Sequence, residues 1–309
     1  NHKKTILVID HYVPMYDRDA GSRTTYQYIK MFLQKGFNVK FIGDNYYPMQ
    51  PYTSQLEQLG VEVLYGTWYA QNIFEWIGNN KKFIDFAYVT RPHIVIKYID
   101  FLRDQTNIKI MYYGCDLAAL RLRREYELTN QEEIREEAES WEEKEFYIMK
   151  KADVSYYPSY VEVDYIKGID PTIHVKPFNI FAYDEFKKDL PLNFKDRKGL
   201  MFVGGFAHGP NIDAAIWFVT QVYPLIREKE KIPFYIVGSN PTDEVKALAN
   251  DDIIVTGFVS DEELDRIYSN CKMAVVPLRY GAGVKGKVIE ALYNGMPLVT
   301  TSIGAEGIV

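Results

Sequence analysis

The chain has 309 residues, of which 47% are hydrophobic and 25% charged, and its formal net charge at pH 7 is −6. This length suits about two domains, and the acidic balance argues against nucleic acid as a partner. No apolar run approaches the ~20 residues of a membrane-spanning helix, and Cys115 and Cys271 suggest neither a disulfide framework nor a metal site. We expect a cytoplasmic protein, with peripheral contact at the inner face of the membrane left open.

Short β-branched runs alternate with amphipathic stretches along the whole chain. Such alternation, with strands that are apolar throughout, is typical of parallel sheets covered on both faces. The sequence therefore predicts an α/β fold of two doubly wound, Rossmann-like domains, 1–185 and 186–309. The predicted strands are 5–10, 38–44, 61–66, 86–91, 108–114, 153–159 and 173–178 in the first domain and 199–205, 233–239, 253–258, 273–278 and 297–302 in the second.

Two helical stretches and a linker complete the predicted elements. The charge-rich stretch 121–150 is expected to be a solvated helix, and 211–229 a helix with one core face. Residues 179–199 have mixed charge and no sustained period, which indicates a linker. The predicted packing residues are Ile134, Ala138 and Trp141 in the first helix and Ile212, Ala215, Ile216, Val219, Tyr223 and Ile226 in the second.

Ligands of doubly wound sheets bind outside the carboxyl ends of the strands, so the loops that follow strands carry the candidate chemistry. After the first strand, Gly21 and Ser22 precede a predicted helix with Arg23 in its first turn. Such a loop can present N–H groups to a phosphate or a sugar. The alternative is an ordinary helix with Ser22 as N-cap.

The first strand of the second domain is followed by a second candidate loop. Gly204 and Gly205 allow close approach of the backbone, and His208 and Asn211 offer hydrogen bonds beside a helix start. A pair of glycines is a weak signal, and Asn211 could serve only as an N-cap.

The stretch RYGAGVKGKVIEALYNG (279–295) is the third candidate loop. Lysines at a helix N-terminus are locally unfavourable unless an anion binds there, so Lys285 and Lys287 predict a phosphate site. An ion pair between Lys287 and Glu290 is the simpler alternative. The spacing also matches a P-loop up to its last position, but Val288 stands where that motif needs Ser or Thr for magnesium.

The blocks FVGGFAHGPNIDAAIWFV, VTGFVSDEEL and VVPLRYGAGVKGKVIEALYNGMPLVTTSIGAEGI resemble a bacterial branch of glycosyltransferase family 4, enzymes of the GT-B fold. The likeness extends upstream through DRDAGSRTTYQYI, VTRP and DLAALRLRRE, and so covers nearly the whole chain. It implies two Rossmann-like domains facing each other across a cleft, with the C-terminal end of the second truncated here. It also implies a retaining hexosyltransferase of bacterial surface-polysaccharide assembly.

The resemblance further implies the substrates. The donor would be a nucleotide-diphosphate sugar of UDP, GDP or dTDP type, used as co-substrate without a bound cofactor or metal. The acceptor would be a glycan, lipid-linked or protein-linked. Lys285, helped by Lys287, would stabilise the leaving diphosphate, and Glu290 would accept hydrogen bonds from the donor ribose. The remaining donor contacts would be Gly21, Gly204, Gly205, His208, Asn211, Phe258, Val259, Gly281 and Gly283, and Asp116 would lie beside the reacting centre.

Three positions depart from the pattern of the family. Ala282 stands in place of a common glutamate, Gly205 near the place of a common arginine, and Ala118 in place of a histidine near the reacting centre. Ala118 favours an alternative, in which the chain is a catalytically silent glycosyltransferase-like binding or scaffold domain. A sugar-nucleotide epimerase of the same fold would need further acid and base residues that the sequence does not identify.

Aromatic residues are abundant, with 25 tyrosines, and the segments 46–52 and 65–76 are rich in them. They could line an acceptor groove by stacking on sugar rings. Packing is the alternative role, because aromatic side chains dominate protein cores.

Overall fold

The computed structural model describes residues 3–178, 183, 185, 187–188 and 195–308. The chain divides into unit 1, residues 1–183, and unit 2, residues 184–309. Much of the predicted linker 179–199 lies outside the described residues. Its last residues belong to unit 2, because Arg197 is buried there and its Nη1 donates to Met296 Sδ at 3.3 Å.

Unit 1 contains one sheet of seven parallel strands. These are β1 Thr5–Asp10, β2 Asn38–Gly43, β3 Glu62–Leu64, β4 Phe86–Thr90, β5 Lys109–Tyr113, β6 Val154–Tyr157 and β7 Val175–Pro177. Their order is β3-β2-β1-β4-β5-β6-β7, and all seven predicted strands are confirmed. Every residue of β1 is buried, because this strand lies inside a sheet whose two faces are both covered.

In the described residues of unit 1, seven α-helices and one 3₁₀-helix, Lys81–Phe83, connect these strands. The α-helices are α1 Ala20–Gln34, α2 Tyr52–Gln58, α3 Thr67–Asn80, α4 Pro92–Gln105, α5 Ala118–Thr129, α6 Glu132–Lys151 and α7 Tyr160–Ile169. The prediction of one helix over 121–150 is wrong, because α5 ends at Asn130, whose φ of 52° lies in the left-handed region. Ala138 is buried as predicted, whereas Ile134 and Trp141 are only half-buried.

Unit 2 repeats the architecture with five parallel strands. They are β8 Leu200–Val203, β9 Phe234–Val237, β10 Ile253–Gly257, β11 Met273–Val276 and β12 Leu298–Thr300, in the order β10-β9-β8-β11-β12. All five predicted strands are confirmed. The helices are α8 Gly209–Trp217, α9 Tyr223–Arg227, α10 Asp243–Lys246, α11 Asp261–Asn270, α12 Gly286–Tyr293 and α13 Ser302–Ala305.

The predicted helix 211–229 is present but interrupted. A π-helical turn, Phe218–Val222, separates α8 from α9 directly before Pro224, whose ring a regular α-helix would press against the preceding turn. Most of the predicted core face packs as expected. Ile216 does not; it lines a shallow surface depression with Trp217 and Arg279, among other residues.

Both sheets reverse their strand order at one point, between β1 and β4 in unit 1 and between β8 and β11 in unit 2. The loops that leave the carboxyl ends of these strand pairs diverge and leave a crevice, which is where such sheets bind ligands. Within the described ranges, no helix combines the length and apolar character that crossing a membrane requires.

Candidate functional site

The loop after β8 brings backbone and side chains very close together. Gly204 N donates to Val237 O at 2.9 Å. A Cβ on Gly204 would lie 2.9 Å from Asn211 Cγ and 3.2 Å from Lys287 Nζ. Glycine at position 204 thus leaves the space into which these two side chains extend at the end of the strand.

Asn211 does not cap the helix that follows this loop. His208 takes the N-cap position of α8, and Asn211 lies one turn inside. The Nδ2 of Asn211 donates to Gly205 O at 2.7 Å. Asn211 therefore fixes the glycine loop against the first turn of the helix.

The loop after β11 folds around Lys285. Lys285 stands at the N-cap position of α12, and its Nζ donates to Ala282 O at 3.1 Å and to Gly283 O. The side chain is buried, and Gly281 and Gly283 both have positive φ. The loop that was expected to bind a phosphate through Lys285 thus uses this ammonium to hold its own carbonyls.

Lys287 lies in the first turn of α12 and points to the end of β8. Its Nζ donates to Asn211 Oδ1 and lies 4.8 Å from the centroid of the Phe202 ring. Burial lowers the pKa of Lys287 to about 7; nearby Lys285 acts in the same direction, and Glu290 opposes both. In the part of the chain that the structure describes, Lys287 forms no ion pair, so the i,i+3 pair with Glu290 is not found.

One ion pair and one close approach join the loop after β11 to helix α8. The guanidinium of Arg279 pairs with the carboxylate of Asp213, with Nε donating to Oδ2 at 2.9 Å. A Cβ on Gly209 would lie 2.9 Å from Tyr280 Oη. The sequence analysis missed the Arg279–Asp213 pair, because the partners are 66 positions apart.

The loop after β10 lies at the same edge of the sheet, two strands from β8. Phe258 is 60% exposed, and Val259 packs against the core of unit 2. Gly238 N, at the end of β9, donates to Gly257 O at 3.1 Å. The predicted donor residues of unit 2 thus follow strands β8, β10 and β11 along one edge.

In unit 1, the structure gives Gly21 a packing role. Helix α1 begins at Ala20 and its N-cap is Asp19, which accepts from Ser22 N at 2.8 Å, so Ser22 is not the cap. A Cβ on Gly21 would lie 2.9 Å from Arg91 Nη2. The absence of a side chain at position 21 therefore makes room for Arg91, whose Nε donates to Asp10 Oδ1 at 2.6 Å.

Asp116 follows β5, the neighbour of β4 on the side away from β1. Its Oδ2 accepts from Arg121 Nε at 3.1 Å, and its side chain is 37% exposed. Ala118 begins α5 and is buried. Asp116 is therefore an accessible carboxylate at the carboxyl edge of the first sheet.

Residues 197–309 match the family model described as glycosyl transferases group 1. A curated relative from Klebsiella pneumoniae, an uncharacterized 44.6 kDa protein in cps region, is 34% identical over 149 residues. The match covers 46% of this chain and spans only 37% of the length of that relative.

Solved structures with the same fold cover nearly the whole chain. TarM has a TM-score of 0.70 at 10% identity, covering 97% of this chain and 85% of that chain. A second TarM structure, from S. aureus with fondaparinux, alpha-GlcNAc-glycerol and UDP, has a TM-score of 0.65 at 10% identity (97% and 86% covered). A UDP-forming trehalose-phosphate synthase from Burkholderia xenovorans, in complex with glucose-6-phosphate, has a TM-score of 0.63 at 11% identity (98% and 86% covered).

These likenesses and the two parallel sheets confirm the predicted class of fold, an α/β protein of the GT-B class with two Rossmann-like units. The family likeness, more specifically, falls in unit 2, whose residues 197–309 match the model of group 1 glycosyl transferases.

Proposed function

We propose that this protein is a retaining glycosyltransferase of the family 4 branch, a hexosyltransferase that takes its sugar from a nucleotide-diphosphate donor. The observation that carries the proposal is the position of Lys287. Its ammonium lies at the crevice between β8 and β11, where doubly wound sheets bind phosphates, and no carboxylate pairs with it in the described structure. Glu290 favours the ammonium electrostatically but, among the described residues, forms no ion pair with it, and a donor diphosphate would supply a directly bound counter-charge.

In this proposal Lys287, and not Lys285, is the main contact of the diphosphate, which differs from the prediction made from the sequence. Lys285 holds the glycine loop through the carbonyls of Ala282 and Gly283. Lys287 contacts the diphosphate of the donor. Negative charge develops on this group as the bond between the sugar and the diphosphate breaks, and a fixed cation there stabilises the transition state. The positive end of helix α12 adds to the same effect.

The burial of Lys287 determines whether a proton is taken up when the donor binds. Since its pKa is lowered to about 7, a large share of the free protein holds a neutral amine above that pH. A bound diphosphate favours the ammonium form and raises the pKa. Donor binding is therefore coupled to the uptake of a proton by Lys287 at mildly alkaline pH.

The other donor contacts are proposed from their place at the same edge of the sheet. Gly281 and Gly283 lie against the donor sugar or phosphate, and Glu290 accepts hydrogen bonds from the ribose. The backbone at Phe258 and Val259 reads the base, which is of UDP, GDP or dTDP type. UDP in the second TarM structure supports a nucleotide ligand of this kind.

Unit 1 is proposed to bind the acceptor, a glycan, lipid-linked or protein-linked, with Asp116 beside the reacting centre. The loops after β2 and β3 expose Tyr47 and Tyr65, and Trp68 is exposed at the start of α3. Gly66 N joins the two loops by donating to Tyr46 O at 2.9 Å. Aromatic faces of this kind stack on sugar rings. Surface-polysaccharide assembly at the inner face of a bacterial membrane is the proposed setting, which the cps-region relative supports.

One observation favours a second candidate, a catalytically silent binding or scaffold domain. Ala118 replaces the histidine of the resembling family, and its buried methyl group offers neither a proton nor a hydrogen bond. This candidate shares the nucleotide site of unit 2 but predicts binding without turnover.

The test is calorimetric titration of UDP, GDP and dTDP into the protein and into Lys287→Ala, with hydrolysis of the matching donor sugars followed in parallel. Lys272→Ala is the matched control, because Lys272 pairs with Glu230 at the surface of unit 2. We expect one nucleotide to bind with micromolar affinity, unchanged in the control and lost in Lys287→Ala, and its donor to be hydrolysed slowly. Binding without hydrolysis or transfer would favour the silent domain, and no binding of any nucleotide would refute both.

A further inference from the structure

The first turn of helix α5 directly follows Asp116 and is held in an unusual way. The first N–H groups of a helix have no partner within the helix, and Leu117, at the N-cap position, supplies no capping side chain. Instead, Leu117 N donates to Glu162 Oε1 at 2.8 Å. Ala118 N and Ala119 N donate to the two oxygens of Glu145, at 2.9 and 3.0 Å. Three successive N–H groups are thus satisfied by two carboxylates from other helices.

Both carboxylates are completely buried, with exposed fractions of 0% for Glu145 and for Glu162. Glu162 also accepts from Ser159 N at 3.2 Å, so it joins the start of α7 to the start of α5. Burying a carboxylate is unfavourable for folding even when it is hydrogen-bonded. Five other helices in the described part of this chain are capped by a short side chain at their own N-cap position, namely Asp19, Ser159, Thr242, Ser260 and Thr301. The first turn of α5 therefore has a costlier arrangement than helix capping alone requires.

The turn that precedes α5 needs support from outside. Cys115 has a φ of 65°, in the left-handed region that a residue with a side chain seldom adopts. Asp116 N donates to Gly114 O at 2.8 Å, which closes the turn tightly. Strained turns of this kind persist only where the surroundings hold them, and they concentrate at functional sites.

We infer that Glu145, together with Glu162, is a positioning residue that holds the turn of Asp116 in the geometry the reaction needs. The inference rests on the proposed function, in which Asp116 lies beside the reacting centre. Neither glutamate touches the substrate. They act through the backbone of residues 117–119, which sets the direction in which the Asp116 side chain leaves the sheet.

The ionisation of Glu145 makes its support of the turn depend on pH, which a purely structural contact would not do. Burial raises the pKa of Glu145 to about 8, against the effect of the two N–H donors. Asp116 raises it further, and Arg121 lowers it. The other titratable groups that face Glu145 are Tyr112 of β5, and Tyr157 of β6. A protonated carboxyl group keeps only one good acceptor oxygen, so the turn is held by both bonds only when Glu145 is ionised.

The experiment compares Glu145→Gln with Glu142→Gln in the full chain. Glu142 lies one turn earlier in α6 and binds Arg123 and Tyr165, away from the Asp116 turn. In Glu145→Gln we expect kcat to fall at least tenfold with the donor KM unchanged, and the midpoint of denaturant unfolding to stay constant or rise. In the unmodified protein we expect kcat at saturating donor to rise as the pH increases through about 8, because Glu145 then ionises and accepts both N–H bonds. This rise should be absent in Glu145→Gln, although Lys287 is still present. Glu142→Gln should behave as the unmodified protein.

Glu145→Asp keeps the charge but shortens the side chain. It should also lower kcat, because the carboxylate no longer reaches the N–H groups of Ala118 and Ala119. The inference is overturned if kcat of Glu145→Gln equals that of the unmodified protein, or if kcat and the unfolding midpoint fall together. Amide hydrogen exchange of residues 117–119 separates this inference from the proposed function. If the unmodified protein turns over no donor, the proposed function fails, and unchanged protection of these amides in Glu145→Gln would overturn the inference by itself.

Discussion

The first turns of α5 and α12 lack a capping side chain at the N-cap position, and the chain completes them in opposite ways. The start of α5 is filled by the carboxylates of Glu145 and Glu162. The start of α12 carries Lys285 and Lys287, and within the described ranges Lys287 forms no ion pair. One helix start is closed by carboxyl groups of the protein itself, whereas we propose that the other binds an anion from solution. In both proposals the unpaired N–H groups of a helix start are used, for positioning in unit 1 and for binding in unit 2.

The largest expected effect separates the two lysines of α12. Lys287→Ala should weaken binding of the nucleotide diphosphate about 100-fold, because a charge-assisted contact of about 2–3 kcal/mol is lost. Its free energy of unfolding should stay constant or rise near neutral pH, since a buried amine is removed. Lys285→Ala should instead lower the free energy of unfolding by about 1–3 kcal/mol, because two buried carbonyls lose their donor.

Calorimetry and denaturant unfolding of both variants check this difference. Equal losses of stability in the two variants would mean that both lysines only support the fold. A larger loss of binding in Lys285→Ala than in Lys287→Ala, without loss of stability, would return the phosphate role to Lys285.

The second prediction concerns protons taken up with the donor. At pH 8 the free protein holds Lys287 mostly as the amine, because burial lowers its pKa to about 7. Binding of the nucleotide diphosphate should therefore take up close to one proton at pH 8 and almost none at pH 6. Titrations in buffers of different ionisation enthalpy measure this number, and Lys287→Met should bring it to zero at pH 8. An uptake that persists in Lys287→Met would assign the proton to another group.

The third prediction uses the buried carboxylate of α5. The pKa of Glu145 is raised from 4.5 to about 8 in the folded protein, so between these values the folded state binds more protons than the unfolded state. The contribution of Glu145 to stability is therefore fully present below about pH 4.5 and is lost as the pH rises through 8. Denaturant unfolding at pH 5, 7 and 9 should show a smaller decline in Glu145→Gln than in the unmodified protein. The same decline in both would mean that Glu145 is ionised throughout.

The smallest effect is expected at the ion pair between Arg279, in the loop after β11, and Asp213 of α8. Arg279 and Asp213 are partly exposed, so their ion pair contributes at most about 1 kcal/mol to stability. Asp213→Asn should change the unfolding free energy by less than this amount and raise the donor KM a few-fold, because the loop after β11 becomes less well held. A steady-state KM measurement checks it. Asp243→Asn, whose side chain lies at the exposed start of α10, serves as the control.

The sequence predicted the parts of this structure that depend on local pattern. All twelve predicted strands follow from apolar runs. The position of Lys285 and Lys287 at a helix start was also predicted, from the glycines that precede them and the amphipathic stretch that follows. The interruptions were missed, since a single residue decides each of them: Asn130 ends α5, and Pro224 accompanies the π-helical turn.

Contacts between distant positions were also missed. Glu145 and Glu162 stand in charge-rich or mixed stretches that look solvated in sequence. Only the packing of α6 against α5, and of α7 against β6 and β7, brings them to the backbone after Asp116. The different contacts of the two lysines were missed for the same reason. Lys285 binds carbonyls of its own loop and Lys287 binds the side chain of Asn211 in α8, and residue spacing does not encode the directions of these groups.

Trp217, beside the surface depression of unit 2, has a practical consequence for spectroscopy. The other tryptophans, Trp68, Trp76 and Trp141, all lie in unit 1, so replacing them with phenylalanine leaves one indole fluorophore. The guanidinium of Arg279 lies 5.9 Å from the Trp217 ring. The emission of this single indole would therefore report the state of the loop after β11 in real time, and a stopped-flow trace could separate nucleotide arrival from sugar transfer.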